Sequence, residues 1–296
     1  MIRISDLVKT FDDTCAADHI SLEIPEGILF GLLGTNGAGK TTLLRLTAGI
    51  LEADSGEILV DGEPAGASEK VFYLPDTPYY FPNATIEQMA GFYGRQYREM
   101  DTEGVRYMAE SLNLDMRQPI RTFSKGMKRQ AFLILALCAR TKYLLCDEVF
   151  DGLDPIASEV MKNLFRQEMR ERKFTAVVAS HRLPELEDIC DNIAILHKGG
   201  VVTAGDMRMK AENIWKFQCV FHDADDRVGL EKELDVVRCH TDVNFVTLIV
   251  RGDREEIRTE LYKRRPVFVA EVPMSLEEIF IAEMEVKGYD IRKVLH

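Results

Sequence analysis

Nine consecutive residues, Gly34-Thr35-Asn36-Gly37-Ala38-Gly39-Lys40-Thr41-Thr42, restrict the fold of this chain more than any other feature. They fit the spacing G-x-x-x-x-G-K-[ST]. The apolar strand Ile28-Leu29-Phe30-Gly31-Leu32-Leu33 precedes them, and an apolar helix carrying Leu43, Leu44, Leu46, Ile50 and Leu51 follows. Glycines at 34, 37 and 39 let the backbone curl until successive N–H groups point inward, which makes a nest for an anion. The helix that starts near Lys40 adds its positive end. Lys40 is placed for β and γ phosphates, the Thr41 hydroxyl for Mg²⁺, and Thr42 for an α-phosphate oxygen. The segment predicts a nucleoside triphosphate site.

The chain has 296 residues, 46% of them hydrophobic, which is enough to fill one large core and a smaller second one. A net charge of −12 argues against a broad basic surface, so nucleic acid is not an expected partner. The longest uninterrupted apolar run, Ala131 to Ala139, is about half of what a membrane-spanning helix requires, and no basic segment followed by an apolar one opens the chain. The expectation is a chain that neither crosses a membrane by itself nor is exported. Cys15, Cys138, Cys146, Cys190, Cys219 and Cys239 form no C-x-x-C pair, which suits buried thiols in a reducing compartment.

Hydrophobic periodicity predicts strands at Ile2 to Phe11, His19 to Ile24, Ile28 to Leu33, Gly56 to Gly62 (ending on a turn) and Lys70 to Leu74. Pro75 to Pro82 reads as a loop, Thr85 to Leu114 as helical, and Ser124 to Ala139 as a further helix. A strand at Tyr143 to Asp147 comes next. Asp154-Pro155 then marks the start of a helix running to about Arg172, before strands at Phe174 to Ala179 and Asn192 to Leu196. Alternation of this kind around a phosphate loop predicts a largely parallel sheet covered on both faces. From about Lys210 the order becomes β-α-β-β-α-β: Lys216 to Phe221, Arg227 to Leu234, Val236 to His240, Phe245 to Val250, Arg254 to Arg264 and Val267 to Val272. That order matches a small ferredoxin-like sandwich. A last helix, Ser275 to Lys287, opens with the capping box Ser275-x-x-Glu278.

A phosphate loop alone leaves kinases, GTPases, helicases and transport ATPases open. The strand Leu144-Leu145-Cys146-Asp147-Glu148 ends in two carboxylates, suited to an aspartate on the Mg²⁺ shell and a glutamate that orients or deprotonates water. Phe123-Ser124-Lys125-Gly126-Met127-Lys128-Arg129-Gln130 is a polar helix start at which Ser124 and Gly126 offer a hydroxyl and bare N–H groups to an anion. Ser180-His181 follows a strand and brings an imidazole within reach of a γ-phosphate.

In order and spacing these segments resemble the nucleotide-binding subunit of an ATP-binding cassette (ABC) transporter, of bacterial exporter type, over residues 1 to 205. The resemblance implies an α/β P-loop NTPase cassette. Its parts are a mostly parallel sheet, an antiparallel β subdomain and a helical subdomain at about 83–140, with the cassette spanning 1–210 and a small α+β accessory domain at 211–296. It implies Gly34 to Thr42 as Walker A, Phe123 to Gln130 as the signature motif, and Tyr143 to Asp147 as Walker B with catalytic Glu148. Gly152-Leu153-Asp154 becomes the D-loop, His181 the switch histidine, and Phe11 the aromatic that stacks on adenine. The implied cofactors are ATP and Mg²⁺, and the implied reaction is ATP hydrolysis coupled to transport. The implied partners are an integral membrane permease and a second ATP-binding subunit, the same or different, in a head-to-tail dimer. Such a chain sits in the cytoplasm, peripheral to the inner face of the cell membrane.

Three positions depart from the family pattern. Asp76 stands where the Q-loop glutamine is usual; a shorter, charged group either reaches Mg²⁺ through water or falls short of it. The signature reads Ser-Lys-Gly-Met for Ser-Gly-Gly-Gln, with Lys125 beside the anion site or facing solvent. Val149-Phe150 replaces Pro-Thr after Glu148. Asp147 and Glu148 remain, so hydrolysis is expected. The alternatives are an ATP-gated regulatory subunit with little hydrolysis, and a soluble ABC ATPase outside transport. The latter normally carries two cassettes or long coiled coils, and this chain has one cassette and no heptad tract. The region after Lys210 has no glycine-rich loop and no paired carboxylate at a strand end, which suits dimer contact or regulation rather than chemistry.

Overall fold

The computed structural model describes residues 1–66, 69–206, 213–222, 230–242, 245–275, 278–279, 281–282 and 285. They form two compact units, Met1–Gly205 and Asp206–His296.

In the first unit, β1 (Ile2–Phe11), β2 (Thr14–Ile24), β4 (Ser55–Val60) and the short β5 (Glu63–Pro64) make an antiparallel sheet in the order β2-β1-β4-β5. The second sheet runs β10-β9-β3-β8-β7-β6. Here β3 (Leu29–Leu33), β6 (Val71–Leu74), β7 (Tyr143–Asp147), β8 (Thr175–Ser180) and β9 (Asn192–His197) are parallel, and β10 (Gly200–Gly205) pairs antiparallel to β9. Every residue of β3, β7 and β8 is buried. That is what continuous apolar runs in a sheet covered on both faces require, and it agrees with the parallel sheet expected from the sequence. One core joins the two sheets: Ile2, Ile4, Leu7 and Ile20 meet Phe30, Leu145 and Val177 across α1 (Lys40–Thr47), which contributes Leu43, Leu44 and Leu46.

Between β6 and β7 the chain is helical. Thr85 and Gln88 close a capping box at the start of α2 (Ile86–Gln96), and Asp101 caps α3 (Thr102–Ser111) by accepting from Gly104 N at 2.8 Å. Each such cap stabilises a helix by about 1 kcal/mol. In α4 (Lys125–Cys138) every residue from Ala131 to Cys138 is buried, which accounts for the long apolar run. Asp154 caps α5 (Pro155–Glu171), with Pro155 at the first helical position as the sequence predicted. Four short elements have no clear sequence signal: β5, the 3-10 turn Ile120–Thr122, α6 (Leu183–Glu187) and β10. Among the described residues no helix is long and apolar enough to cross a membrane.

A polar cluster ties the β4–β5 turn to the start of β7. Lys142 Nζ lies 2.8 Å from Asp61 Oδ2, and the Tyr143 hydroxyl donates to Asp61 Oδ1. Burial opposes ionisation of Asp61, yet the hydrogen bonds from Lys142 and Tyr143 outweigh it and hold the carboxyl well below the usual range. A depressed carboxyl stabilises the fold above its unfolded value near 4 and loses that contribution as pH falls through its folded value. Asp61→Asn is therefore expected to cost about 1–2 kcal/mol at neutral pH. The gap between variant and parent should narrow toward strongly acidic pH, as read by urea unfolding at several pH values.

The second unit has β11 (Ile214–Val220), a short helix Leu230–Glu233, β12 (Asp235–Asp242), β13 (Phe245–Arg251), the helix Arg254–Lys263 and β14 (Phe268–Val272). Its sheet runs β12-β13-β11-β14 with antiparallel neighbours, the interleaved order of a ferredoxin-like sandwich. Phe217, Cys219, Val246, Leu248 and Val250 pack on Ile257 and Leu261 of the second helix. Ser275 and Glu278 form the predicted capping box, with bonds of 3.1 and 3.2 Å. Most of the helix expected to follow it, like the expected helix start at Arg227, lies outside the described residues.

Candidate functional site

The nest between β3 and α1 is built where side chains cannot go. A Cβ on Gly39, whose φ is +100°, would lie 2.2 Å from the Ala16 carbonyl oxygen, and one on Gly34 would lie 2.6 Å from that of Leu196. Thr35 and Asn36 line the turn, Ala38 is buried beneath it, and Gly37 is open to solvent with φ +80°. No acidic residue belongs to the first turn of α1 itself, which leaves its positive end available to an anion. Thr42 lies in the same turn, partly exposed.

Lys40 is only 5% exposed. Its Nζ donates to the carbonyl oxygens of Gly34 (2.7 Å) and Thr35 (3.2 Å) and lies 3.2 Å from Glu148 Oε1. The other carboxylate oxygen, Glu148 Oε2, is 2.9 Å from His181 Nδ1. Glu148 thus stands between a lysine and an imidazole at the end of β7, held there by a left-handed backbone (φ +49°) and by its N–H donating to Ala179 O at 3.0 Å.

Asp147 is buried beside it, with the hydroxyls of Thr41 and Tyr73 donating to its carboxylate. Burial raises its pKa above the ordinary carboxylate value, and the Glu148 charge adds to that. The bonds from Thr41 and Tyr73 and the Lys40 charge act the other way. Burial likewise pushes the Tyr73 hydroxyl up, so it stays protonated as a donor, and Arg45 Nε approaches it at 3.4 Å. Asp147 Oδ1 is buried with no hydrogen-bond partner. Among the described residues no group of three or more His, Cys, Asp or Glu side chains is arranged to hold a metal alone. A Mg²⁺ that keeps waters and shares phosphate oxygens fits this donor set, because it needs few protein ligands and would satisfy Asp147 Oδ1.

The remaining candidate residues lie apart. Asp76 turns to Arg129, with Arg129 Nη2 2.5 Å from Asp76 Oδ1. Ser124 is exposed at the cap of α4, where its Oγ accepts from Met127 N, and Gly126 follows in the first turn. Asp154 is exposed at the cap of α5. None of Ser124, Gly126 and Asp154 bonds to the Lys40–Glu148–His181 cluster among the described residues. Phe11, 43% exposed at the end of β1, is a surface aromatic under Lys9 Nζ rather than a core strand residue. Lys125 faces Asp151 at 3.0 Å. Two residues near the site were given no role from the sequence: Tyr73, and Arg129 within the segment Phe123 to Gln130. Arg129 had one sequence signal, since it stands one turn before Leu133 and two before Ala136 on the face that α4 buries.

An ABC transporter family model matches residues 17–151. The ATP-binding protein YtrB of Bacillus subtilis (strain 168) is 31% identical over 287 residues, covering 96% of this chain and 98% of that protein. The chain belongs to the ABC transporter ATP-binding family. The bacitracin transport ATP-binding protein BcrA of Bacillus licheniformis is 29% identical over 206 residues, 67% of each chain. Among solved structures, cbiO1 from Clostridium perfringens, part of the ABC transporter complex cbiONQ, superposes with a TM-score of 0.61 at 26% identity, covering 71% of this chain and 90% of that one. ABC family membership agrees with the α/β cassette expected from the motifs and with its antiparallel companion sheet.

Proposed function

We propose that this chain is the ATP-hydrolysing subunit that energises a separate integral membrane permease, in the direction of export. One observation carries the reading: the Glu148 carboxylate is held between Lys40 and His181, beside a buried Asp147 that retains an unpartnered oxygen. On nucleotide entry Lys40 leaves the Gly34 and Thr35 carbonyls for the β and γ phosphates, while the nest N–H groups hold the phosphate chain. Glu148 then accepts a proton from water as its oxygen attacks the γ-phosphorus, the bond to the ADP oxygen breaks, and His181 donates to the γ-phosphate. Thr41 and Asp147 would hold a Mg²⁺, which would supply charge neutralisation for the phosphate oxygens. Asp76 stands further off, its carboxylate shared with Arg129.

Ser124 and Asp154, exposed, and Gly126, partly buried, are helix-start groups that the chain's own Lys40 cluster does not use, which supports their completing the site of a second ATP-binding subunit. Phe11, half-exposed beneath Lys9, is proposed to stack on adenine. The names of the relatives, bacitracin transport among them, support a role at the inner face of a cell membrane. Steady-state Mg-ATP hydrolysis with and without the co-purified permease tests the reading; no turnover in either state would overturn it and favour an ATP-gated regulatory subunit.

The permease contact is expected on the loop after β6. Tyr79 is 73% exposed and makes an edge contact with Phe81, which meets Phe92. Tyr80 instead lies against Phe132 and Lys128, so it anchors the loop to α4. Tyr79→Ser is therefore expected to weaken permease co-purification by about tenfold while leaving basal hydrolysis intact. Equal loss of both would assign Tyr79 to folding.

A further inference from the structure

We propose that Arg129 is a positioning residue for the catalytic glutamate, and that Asp76 serves as its counter-ion. This rests on the hydrolytic reading above and goes beyond it, because within the segment Phe123 to Gln130 only Ser124 and Gly126 were given a role at an anion, and Arg129 none.

The Arg129 side chain is 5% exposed, and a buried guanidinium is tolerated only when its charge and its donors are met. Three groups meet the charge and the two terminal nitrogens, while Nε is buried without a hydrogen-bond partner. Nη2 lies 2.5 Å from Asp76 Oδ1 and 3.5 Å from Asp151 Oδ2, and Nη1 donates to the Glu148 carbonyl oxygen. Asp151 is shared with Lys125 at 3.0 Å, so two cations and two carboxylates balance. The cluster therefore joins three separate stretches of chain: the loop after β6, the first turns of α4 and the turn after β7.

What that cluster holds is the Glu148 peptide. A non-glycine residue at φ +49° costs roughly 1 kcal/mol and persists only where its surroundings fix it. The Glu148 carbonyl accepts from Asp151 N at 3.1 Å and from Arg129, and its N–H is tied to Ala179 O. Without Arg129 one of these three restraints is gone, the Asp76 and Asp151 charges lose their common partner, and the peptide that aims the carboxylate is held less firmly. Arg129 makes no hydrogen bond or ion pair with Lys40, Thr41 or Asp147 among the described residues, so the nucleotide's own contacts stay intact. The signature of a positioning residue is then a fall in kcat with KM for ATP preserved.

The test uses the full chain and Mg-ATP. Arg129→Gln is expected to lower kcat about 30-fold while KM for ATP changes less than about threefold, and Arg129→Lys should recover part of the loss. Asp76→Asn should lower kcat in the same direction, and Asp76→Asn combined with Arg129→Gln should be no worse than Arg129→Gln alone, because both act through one network. Parent kcat in Arg129→Gln, a matching rise in KM, or multiplying effects in the double variant would each overturn the proposal. A readout independent of turnover is amide hydrogen exchange. Arg129→Gln should speed exchange at residues 148–151 and leave residues 40–47 at the parent rate; unchanged exchange at 148–151 overturns the inference even if the parent chain proves not to hydrolyse ATP, a result that would instead remove the hydrolytic reading. Should Arg129→Gln fail to fold, Asp76→Asn reads the same network from a half-exposed position: lower kcat at constant KM supports it, and parent kcat overturns it.

Discussion

Glu148→Gln is expected to lower kcat for Mg-ATP by at least about 100-fold, since general-base catalysis contributes on that order and an amide cannot accept the proton of the attacking water. Nucleotide should still bind, because Lys40, Thr41 and the nest are untouched. The geometry adds a second consequence. Lys40 Nζ now shares its position with Glu148 Oε1 at 3.2 Å, and a neutral side chain there no longer competes for the ammonium. The variant should therefore bind ATP at least as tightly as the parent, and an ATP-dependent dimer should accumulate. Both are read by a fluorescent-nucleotide titration and by size-exclusion chromatography with saturating ATP. Only monomer with ATP bound would count against the head-to-tail arrangement, and turnover at the parent rate would remove Glu148 from the chemistry.

Lys40→Ala should be more damaging to binding. It removes a buried cation from a nest whose remaining donors are neutral N–H groups, and a charge-assisted contact to phosphate is worth about 2–3 kcal/mol, or roughly 30- to 150-fold in affinity. It also leaves Glu148 with His181 as its remaining side-chain partner among the described residues. Loss of affinity for ATP, measured by equilibrium titration on a variant that keeps its circular dichroism spectrum, is the expected result. Parent affinity would overturn the assignment of the phosphate site.

The parts of the site that could be read from sequence are those built by local backbone. Gly34, Gly39 and Lys40 occupy one turn between β3 and α1, and Asp147 and Glu148 are consecutive at a strand end, so spacing along the chain already encodes their geometry. The Asp154 cap and the Ser275–Glu278 box are legible for the same reason. Tyr73 and Arg129 are not. Tyr73 reaches Asp147 because β6 pairs with β7 in parallel register, Tyr73 opposite Leu145, across a helical insertion that occupies most of the intervening chain. Arg129 reaches Asp76 by the same long-range adjacency. The aromatic loop shows the limit at single-residue scale: Tyr79 and Tyr80 are neighbours of one type, and only packing separates the exposed ring from the one against Phe132.

The pairing of Lys40 with Glu148 also bears on what the subunit does when idle. In the proposed reaction Lys40 Nζ has to leave Glu148 Oε1 for the phosphate chain before that oxygen can face the attacking water. On the proposed reading, substrate arrival is what frees Glu148 to act. On that reading a chain resting without nucleotide keeps this carboxylate occupied, and the fuel itself would be the key that arms the reaction.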